Sequence, residues 1–322
     1  MAASLTSSRL AIVSGKGGVG KTTVAAALAL AAGRQGKKVL LVEVEQREGI
    51  APLFGLSHLG YEEREIAPNV TGLSVVPDEA LVEYLYLFYG IRYVGRVLKG
   101  SKAVEFATNI APGLRDILLI GKIKEAERRR TGGHFSFDLV VLDAPPTGRL
   151  PRFLEAPRSV TELVHSGPIR NQAQGVLDMV SDQERCQVVL VTLPEDMPVR
   201  ETADAVETLS KMHIAIGPVV VNGAFPEVFT EDLHAVADDA PATLTADAER
   251  AGIVLSAEAL AELGRVAGSH ARRTINQQDA MRELAEETKL PSLTLPYLFA
   301  PRLNRDAIEQ LATDLIEQGA VT

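Results

Sequence analysis

The chain of 322 residues has no tryptophan, a single cysteine and an aromatic content of only 5%. One cysteine, Cys186, excludes an intramolecular disulfide and a metal clasp of paired cysteines. It stands just before the apolar run Val188-Val189-Leu190-Val191, the setting of a buried structural thiol. No stretch approaches the roughly 18 apolar residues that cross a bilayer, and uncharged stretches such as His213 to Pro226 are broken by Pro and Gly. Met1 to Arg9 is short and polar with no leader pattern, so a cytoplasmic protein without a transmembrane segment is expected. Positive charge is also scarce: 33 Lys and Arg against 42 Asp and Glu leave a net charge of -9. A nonspecific nucleic-acid binder would have to assemble a cationic footprint against that field, so no specific nucleic-acid partner is expected. The cluster Arg128-Arg129-Arg130 is short and isolated, and reads as a solvated face.

Apolar residues, by contrast, make up 46% of the chain, enough for a substantial core. Five apolar segments alternate with helix-like stretches: Leu10 to Ser14, Lys38 to Val44, Phe137 to Leu142, Gln187 to Leu193 and Ile216 to Val221. Leu73 to Val76 and Leu293 to Leu295 add two shorter candidates. This is the pattern of an α/β fold with a mostly parallel sheet covered by helices, here one domain over residues 1–322. Ligands on such sheets collect at the carboxyl ends of the strands.

At the end of the first apolar segment stands Gly15-Lys16-Gly17-Gly18-Val19-Gly20-Lys21-Thr22-Thr23. Gly15, four free positions and Gly20-Lys21-Thr22 satisfy the phosphate-loop pattern, and Lys16 is a second lysine on the same loop. The alanine-rich stretch Thr22 to Ala32 follows as a helix, so strand, loop and helix come in the order that the motif needs. Glycines let consecutive N–H groups turn inward around a polyphosphate, and the positive end of the helix faces the same anion. Lys21 is placed to bridge the outer phosphates, and Thr22 to offer its hydroxyl to Mg2+.

Other polar residues fall at strand ends. Asp143 closes the strand that begins at Phe137 and either holds Mg2+ through water or starts the turn before Ala144-Pro145-Pro146; Thr147-Gly148 after it could sense a terminal phosphate. Strand alternation puts Glu43 and Glu45 on one side, and Glu45 either orients the attacking water or is a solvated acid at a strand end. Asn222 follows Val219-Val220-Val221 and offers a donor and an acceptor either to adenine or to the Gly223 turn. Pro296-Tyr297-Leu298-Phe299 either packs on the base or belongs to the core.

Between these strands residues 78–133 read as an inserted helical subdomain. Tyr84, Tyr86, Tyr89 and Tyr93 stand beside Leu81, Leu85, Leu87 and Phe88, so the apolar surface wraps nearly round a helix. Such a helix is either buried in a subdomain or dimer interface, or lines a groove for an apolar client. Arg115 to Arg130 follows as a helix with Ile117, Leu118, Ile120 and Ile123 on one stripe. Residues 237–250, rich in Ala, Asp and Thr, read as a mobile connection, 251–289 as long amphipathic helices, and 302–318 as a closing helix.

Lys16, the segment Asp143-Ala144-Pro145-Pro146-Thr147-Gly148 and Asn222 together make the chain resemble the arsenite-pump and tail-anchored-protein-targeting ATPase family. This family belongs to the deviant phosphate-loop group, and the likeness is nearest to its actinobacterial anion-transporting members, sometimes found as pairs of related subunits. The resemblance implies an ATP- and Mg2+-dependent switch that hydrolyses ATP to ADP and phosphate in a dimer and couples closure to an apolar client or partner protein. The dimer is a homodimer or a heterodimer with a related ATPase subunit. Lys16 then reaches the partner's ATP and stabilises charge in the transition state as an arginine finger does. Glu45 takes the switch I position, but Glu45-Gln46-Arg47-Glu48 replaces the familiar Asp-Pro-Ala-His, so either the base role survives or hydrolysis is slow. In switch II Arg149 replaces the usual histidine. Pro194-Glu195 and Glu201-Thr202 resemble a further dimer and nucleotide-contact region, Asn222 the base-reading asparagine, and Pro296 with Tyr297 the adenine loop. The zinc-binding Cys-x-x-Cys of the eukaryotic targeting dimer and the three cysteines of an arsenite site are lacking, which argues against arsenite activation. Two alternatives remain: a partitioning or positioning switch, and a nucleotide-binding structural subunit of a heterodimer with little turnover. Asp306, Glu309, Asp314 and Glu317 on the last helix speak against a basic membrane-binding end.

Overall fold

The computed structural model describes residues 4–44, 48–89, 113–163, 165–229 and 233–321. In chain order the first half comprises β1 (Leu10–Gly15), α1 (Lys21–Arg34), β2 (Val39–Val44), α2 (Ile50–Leu53), β3 (Arg64–Ala67), β4 (Val70–Val75), α3 (Pro77–Tyr89) and α4 (Leu114–Arg128). Then follow β5 (Arg130–Thr131), β6 (His134–Phe135), β7 (Leu139–Asp143), α5 (Leu150–Leu163), α6 (Pro168–Ser181), β8 (Cys186–Thr192) and α7 (Asp196–Lys211). The remainder is β9 (Val219–Ala224), α8 (Leu233–Ala251), α9 (Ala257–Thr288), β10 (Ser292–Pro296) and α10 (Arg305–Glu317).

Eight strands make one sheet in the order β10-β9-β8-β1-β7-β2-β4-β3. All neighbours pair in parallel except β3, which runs antiparallel to β4 at the edge. β1, β2, β7 and β8 are buried along their whole length, which is why they read as unbroken apolar runs. The two faces separate by alternation. Ala11, Val13, Val39, Leu41, Leu139 and Val141 pack with α1 and α10, while Leu10, Ile12, Leu40, Val42, Val140 and Leu142 pack with α4 to α7. The same period of two carries Glu43 and Asp143, which are register partners on β2 and β7, onto the α1 face. α1 owes its alanine-rich, uncharged character to burial on nearly every side.

β3 was not anticipated, because its four residues Arg64 to Ala67 are mostly exposed and carry two charges, as suits an edge strand. Nor was the hairpin of β5 and β6, whose turn is made by Gly132 and Gly133, both with positive φ. In the arginine cluster Arg128 and Arg130 are exposed, but Arg129 is held by Glu63 and Glu125. The apolar stripe of α4, including Leu119, Ile120 and Ile123, packs on the sheet core. The side chains of 84–89 and all of 90–112, which contain the tyrosine-rich segment, lie outside the described residues.

Residues 237–250, read from the sequence as a mobile connection, lie in α8. The helix kinks at Asp239, whose carboxylate accepts the amide of Ala242 at 3.1 Å and so caps a new helical start with Pro241 in its first turn. Alanine's helix propensity then prevails over the low hydrophobicity of the segment. α8 lies against α9 through a small core of Val236, Ala240, Ala267 and Ala271, and Gly264 lets Pro241 come close.

Candidate functional site

β1 ends at Gly15, where a Cβ would stand 2.1 Å from the carbonyl oxygen of Val191 on the neighbouring strand, so only glycine fits. The chain then turns through Gly18 and Gly20, with φ of 90° and 88°, into α1. Nothing stands within 4 Å of the Cβ positions of Gly17 and Gly18, which leaves the mouth of the loop open. Lys21 is buried, and its ammonium donates to the carbonyl of Lys16 at 2.9 Å, folding the side chain back over the loop. The strand end, the left-handed glycines and the first turn of α1 make an anion cradle.

Asp143 comes to this cradle from β7. Its Oδ2 accepts the hydroxyl of Thr22 at 2.6 Å, and its backbone continues into a turn in which the Thr147 amide donates to the carbonyl of Gly15 at 3.1 Å. The phosphate loop and the turn that follows β7 are thereby joined by side chain and backbone. Ser14 strengthens the junction by donating to the carbonyl of Pro145 at 2.7 Å. Arg149, beyond the turn, lies 3.9 Å from Asp116.

Glu43, which the sequence reading ranked behind Glu45, is fully buried beside Asp143. Its Oε1 accepts the amide of Gly49 at 2.6 Å and that of Ile50 at 3.4 Å, while Oε2 has no hydrogen-bond partner among the described residues. Burial raises its pKa above the ordinary carboxylate value, and the charges of Asp143 and Glu48 add to the rise against the lowering by the two amides. Thr22 belongs to the same group: a Cβ on Gly49 would lie 3.4 Å from Glu43 Oε1 and 3.5 Å from Thr22 Oγ1. Glu45 itself lies outside the described residues.

Asn222, within β9, donates its amide to the carbonyl of Val19 at 2.9 Å. A Cβ on Gly20 would meet that amide nitrogen at 2.3 Å, so glycine and asparagine are fitted to each other. Tyr297 is partly exposed next to it and stacks on Phe225, with ring centroids 4.6 Å apart and 12° between the planes. The guanidinium of Arg273 lies 4.5 Å from the Phe225 centroid on α9's side. Phe225 and Arg273 were not singled out from sequence; Phe225 is signalled only by following the Asn222 turn, and Arg273 by nothing local. They line a cavity of about 630 Å³ together with Leu193, Pro194, Glu195 and Tyr297.

Lys16 points to a different neighbour. Its ammonium is 2.7 Å from Glu201 Oε1 on α7, with both side chains about one third exposed (32% and 39%). Glu201 also borders a cavity of about 390 Å³ between α7 and the switch II turn at Thr147 and Gly148.

Among the described residues no group of three or more His, Cys, Asp or Glu could hold a metal by itself. The hydroxyl of Thr22 with the carboxylates of Asp143 and Glu43 is nevertheless an all-oxygen donor set, which suits a magnesium ion that keeps waters and phosphate oxygens as its remaining ligands. The buried, unpartnered Oε2 of Glu43 fits a cation at this place.

The family model described as anion-transporting ATPase matches residues 8–172 and 169–239. The ATPase BagA of Mycobacterium tuberculosis strain H37Rv is 40% identical over 324 residues, which cover 97% of this chain and 93% of the relative. An arsenical pump-driving ATPase of Acidiphilium multivorum is 26% identical over 67% of this chain and 40% of its own length. ATPase GET3 of Candida glabrata is 24% identical over 65% of the chain and 70% of its own length. With a phosphate loop closed by Asp143 on a parallel sheet, and with that extent of match, the chain belongs to the anion-transporting ATPase family.

Proposed function

We propose that the chain is a magnesium-dependent ATPase that hydrolyses ATP to ADP and phosphate within a dimer, whose closure changes a surface for an apolar client or partner protein. The observation that carries this reading is the Thr22–Asp143 hydrogen bond of 2.6 Å at the start of α1, under a loop whose glycines turn its amides toward an anion. Thr22 and Asp143 would hold Mg2+, which would supply charge neutralisation at the phosphate oxygens. Lys21 bridges the outer phosphates. Asn222 reads the base edge, with Pro296 and Tyr297 beside it. Glu45 orients the attacking water, and Lys16 of each subunit serves the nucleotide of the other. The match to ATPase BagA supports hydrolysis, and family membership supports the use of ATP.

A second reading, a nucleotide-binding subunit with little turnover of its own, is favoured by the Lys16–Glu201 ion pair, which engages the second lysine within its own chain. The deciding experiment measures ATP binding and phosphate release for the wild type, Lys21→Ala and Lys16→Ala, alone and with a related ATPase subunit. Lys21→Ala should lose ATP binding, and Lys16→Ala should bind ATP without turning it over. Intact binding with no phosphate release in any assembly replaces the ATPase by the second reading.

A further inference from the structure

Glu43 is the buried charged group next to the site for which neither the phosphate loop nor switch II has a use. Four observations converge on it. It is 0% exposed; its Oε1 is filled by the amides of Gly49 and Ile50; its Oε2 has no hydrogen-bond partner among the described residues; and it is the register partner of Asp143, which holds Thr22. Strand alternation puts both carboxylates on the α1 face. Two carboxylates side by side in a buried place repel, and an oxygen without a donor adds the cost of its lost hydration. A fold has little reason to keep that arrangement unless a cation belongs there. Loop anchoring alone does not explain it, because a glutamine would accept the same two amides without the charge.

We propose that Glu43 is a second metal-shell carboxylate and a positioning residue of the nucleotide site, with one oxygen tethering Gly49 and Ile50 at the start of α2 and the other directed to the magnesium shell beside Thr22 and Asp143. Metal arrival and placement of Gly49 and Ile50 are then one event, because one side chain takes part in both. The inference rests on the magnesium-ATP reading above and assigns a residue that this reading does not use.

The test is Glu43→Gln, which keeps the acceptor for Gly49 and removes the charge. Metal affinity is read without turnover, as Mn2+ binding to the ATP-loaded protein by electron paramagnetic resonance and as the Mg2+ midpoint of the thermal shift with ATP present. Both midpoints should weaken about tenfold, the usual cost of losing an outer-shell partner, while ATP binding in EDTA changes less than the metal midpoints do. The melting temperature of the variant without nucleotide should equal or exceed that of the wild type, since a buried charge has been removed. Metal midpoints within about twofold of wild type overturn the proposal and leave Glu43 as a loop anchor. Should Glu43→Gln not fold, Glu43→Asp decides: it keeps the charge and withdraws it from Gly49, so its metal midpoint should stay within about threefold of wild type, and a tenfold loss overturns the proposal. A wild type that binds ATP with no dependence on Mg2+ sinks the functional reading itself. Normal metal dependence that Glu43→Gln leaves untouched sinks only this inference.

Discussion

The ion pair between Lys16 and Glu201 makes the proposed cross-subunit role of Lys16 measurable. Glu201→Gln removes the charge that holds the lysine at 2.7 Å within its own chain and leaves a side chain of the same size. Both groups are about one third exposed, so the pair falls in the class worth about 0.2–1 kcal/mol, which is a factor of about 1.4–5 in the population of released Lys16. A dimer releases two such pairs, so its dissociation constant with ATP should tighten by about 2-fold to 30-fold. The proposed service of the lysine to the partner nucleotide would be a larger effect, on the order of 10³-fold or more for a charge delivered across an interface. Breaking the resting contact is therefore a small toll beside what the lysine would contribute after the proposed closure. Sedimentation velocity with ATP across a range of protein concentrations gives the first quantity, and phosphate release per site at each concentration gives the second. Glu201→Gln should shift both curves to lower protein concentration with the same plateau, and Lys16→Ala should abolish the plateau. A dimer midpoint that is unchanged or weaker in Glu201→Gln, or wild-type turnover in Lys16→Ala, refutes the exchange of partners.

Gly15→Ala would push a methyl group to 2.1 Å from the Val191 carbonyl, a backbone atom that cannot rotate away, whereas Gly17→Ala meets nothing within 4 Å. Calorimetry should give a loss of about 3 kcal/mol, or roughly 4–8 °C in melting temperature, for Gly15→Ala and under about 2 °C for Gly17→Ala; equal losses contradict the packing argument. Lys124 is buried between α4 and α6, where its ammonium donates to the carbonyl and the side-chain oxygen of Gln172, and burial, with Arg128 and Arg185 adding to it, lowers its pKa from 10.5 to about 8. Below pH 8 the folded chain carries that unfavourable charge; between about 8 and 10.5 only the unfolded chain keeps the proton, so folding gains stability as pH rises. The stability difference between Lys124→Met and wild type should accordingly shift by about 2 kcal/mol in favour of wild type from pH 7.5 to pH 10, and parallel pH profiles in denaturant unfolding contradict it.

The phosphate loop was legible in the sequence because its parts are contiguous: Gly15 to Thr23 supply the strand end, the turn and the helix start within one stretch. The parallel strands were legible because burial on both faces leaves unbroken apolar runs. β3 and the β5–β6 hairpin escaped because short exposed strands have no such run, and α8 escaped because alanine helices carry little apolar periodicity. At the site, Asp143 and Asn222 were named from strand-end positions, but their first partners, Thr22 and the Val19 carbonyl, depend on which strands are neighbours in the sheet. Phe225 and Arg273 share a cavity wall only because β9 and α9 meet there.

By itself, then, the sequence determined that the chain has a phosphate cradle with two lysines on an α/β sheet, since backbone conformation at glycines and burial of strands are local properties of residue type. That Glu43 joins Asp143 at that cradle, and where Lys16 rests, was decided by tertiary structure alone. Glu43 and Glu45 look alike along the chain, and it is the register of β2 against β7 that buries Glu43 next to Asp143 with one oxygen unfilled. Likewise nothing near Glu201 in sequence marks it as the partner of Lys16; the packing of α7 brings its charge to the loop, and electrostatic contacts depend on distance in space, not along the chain.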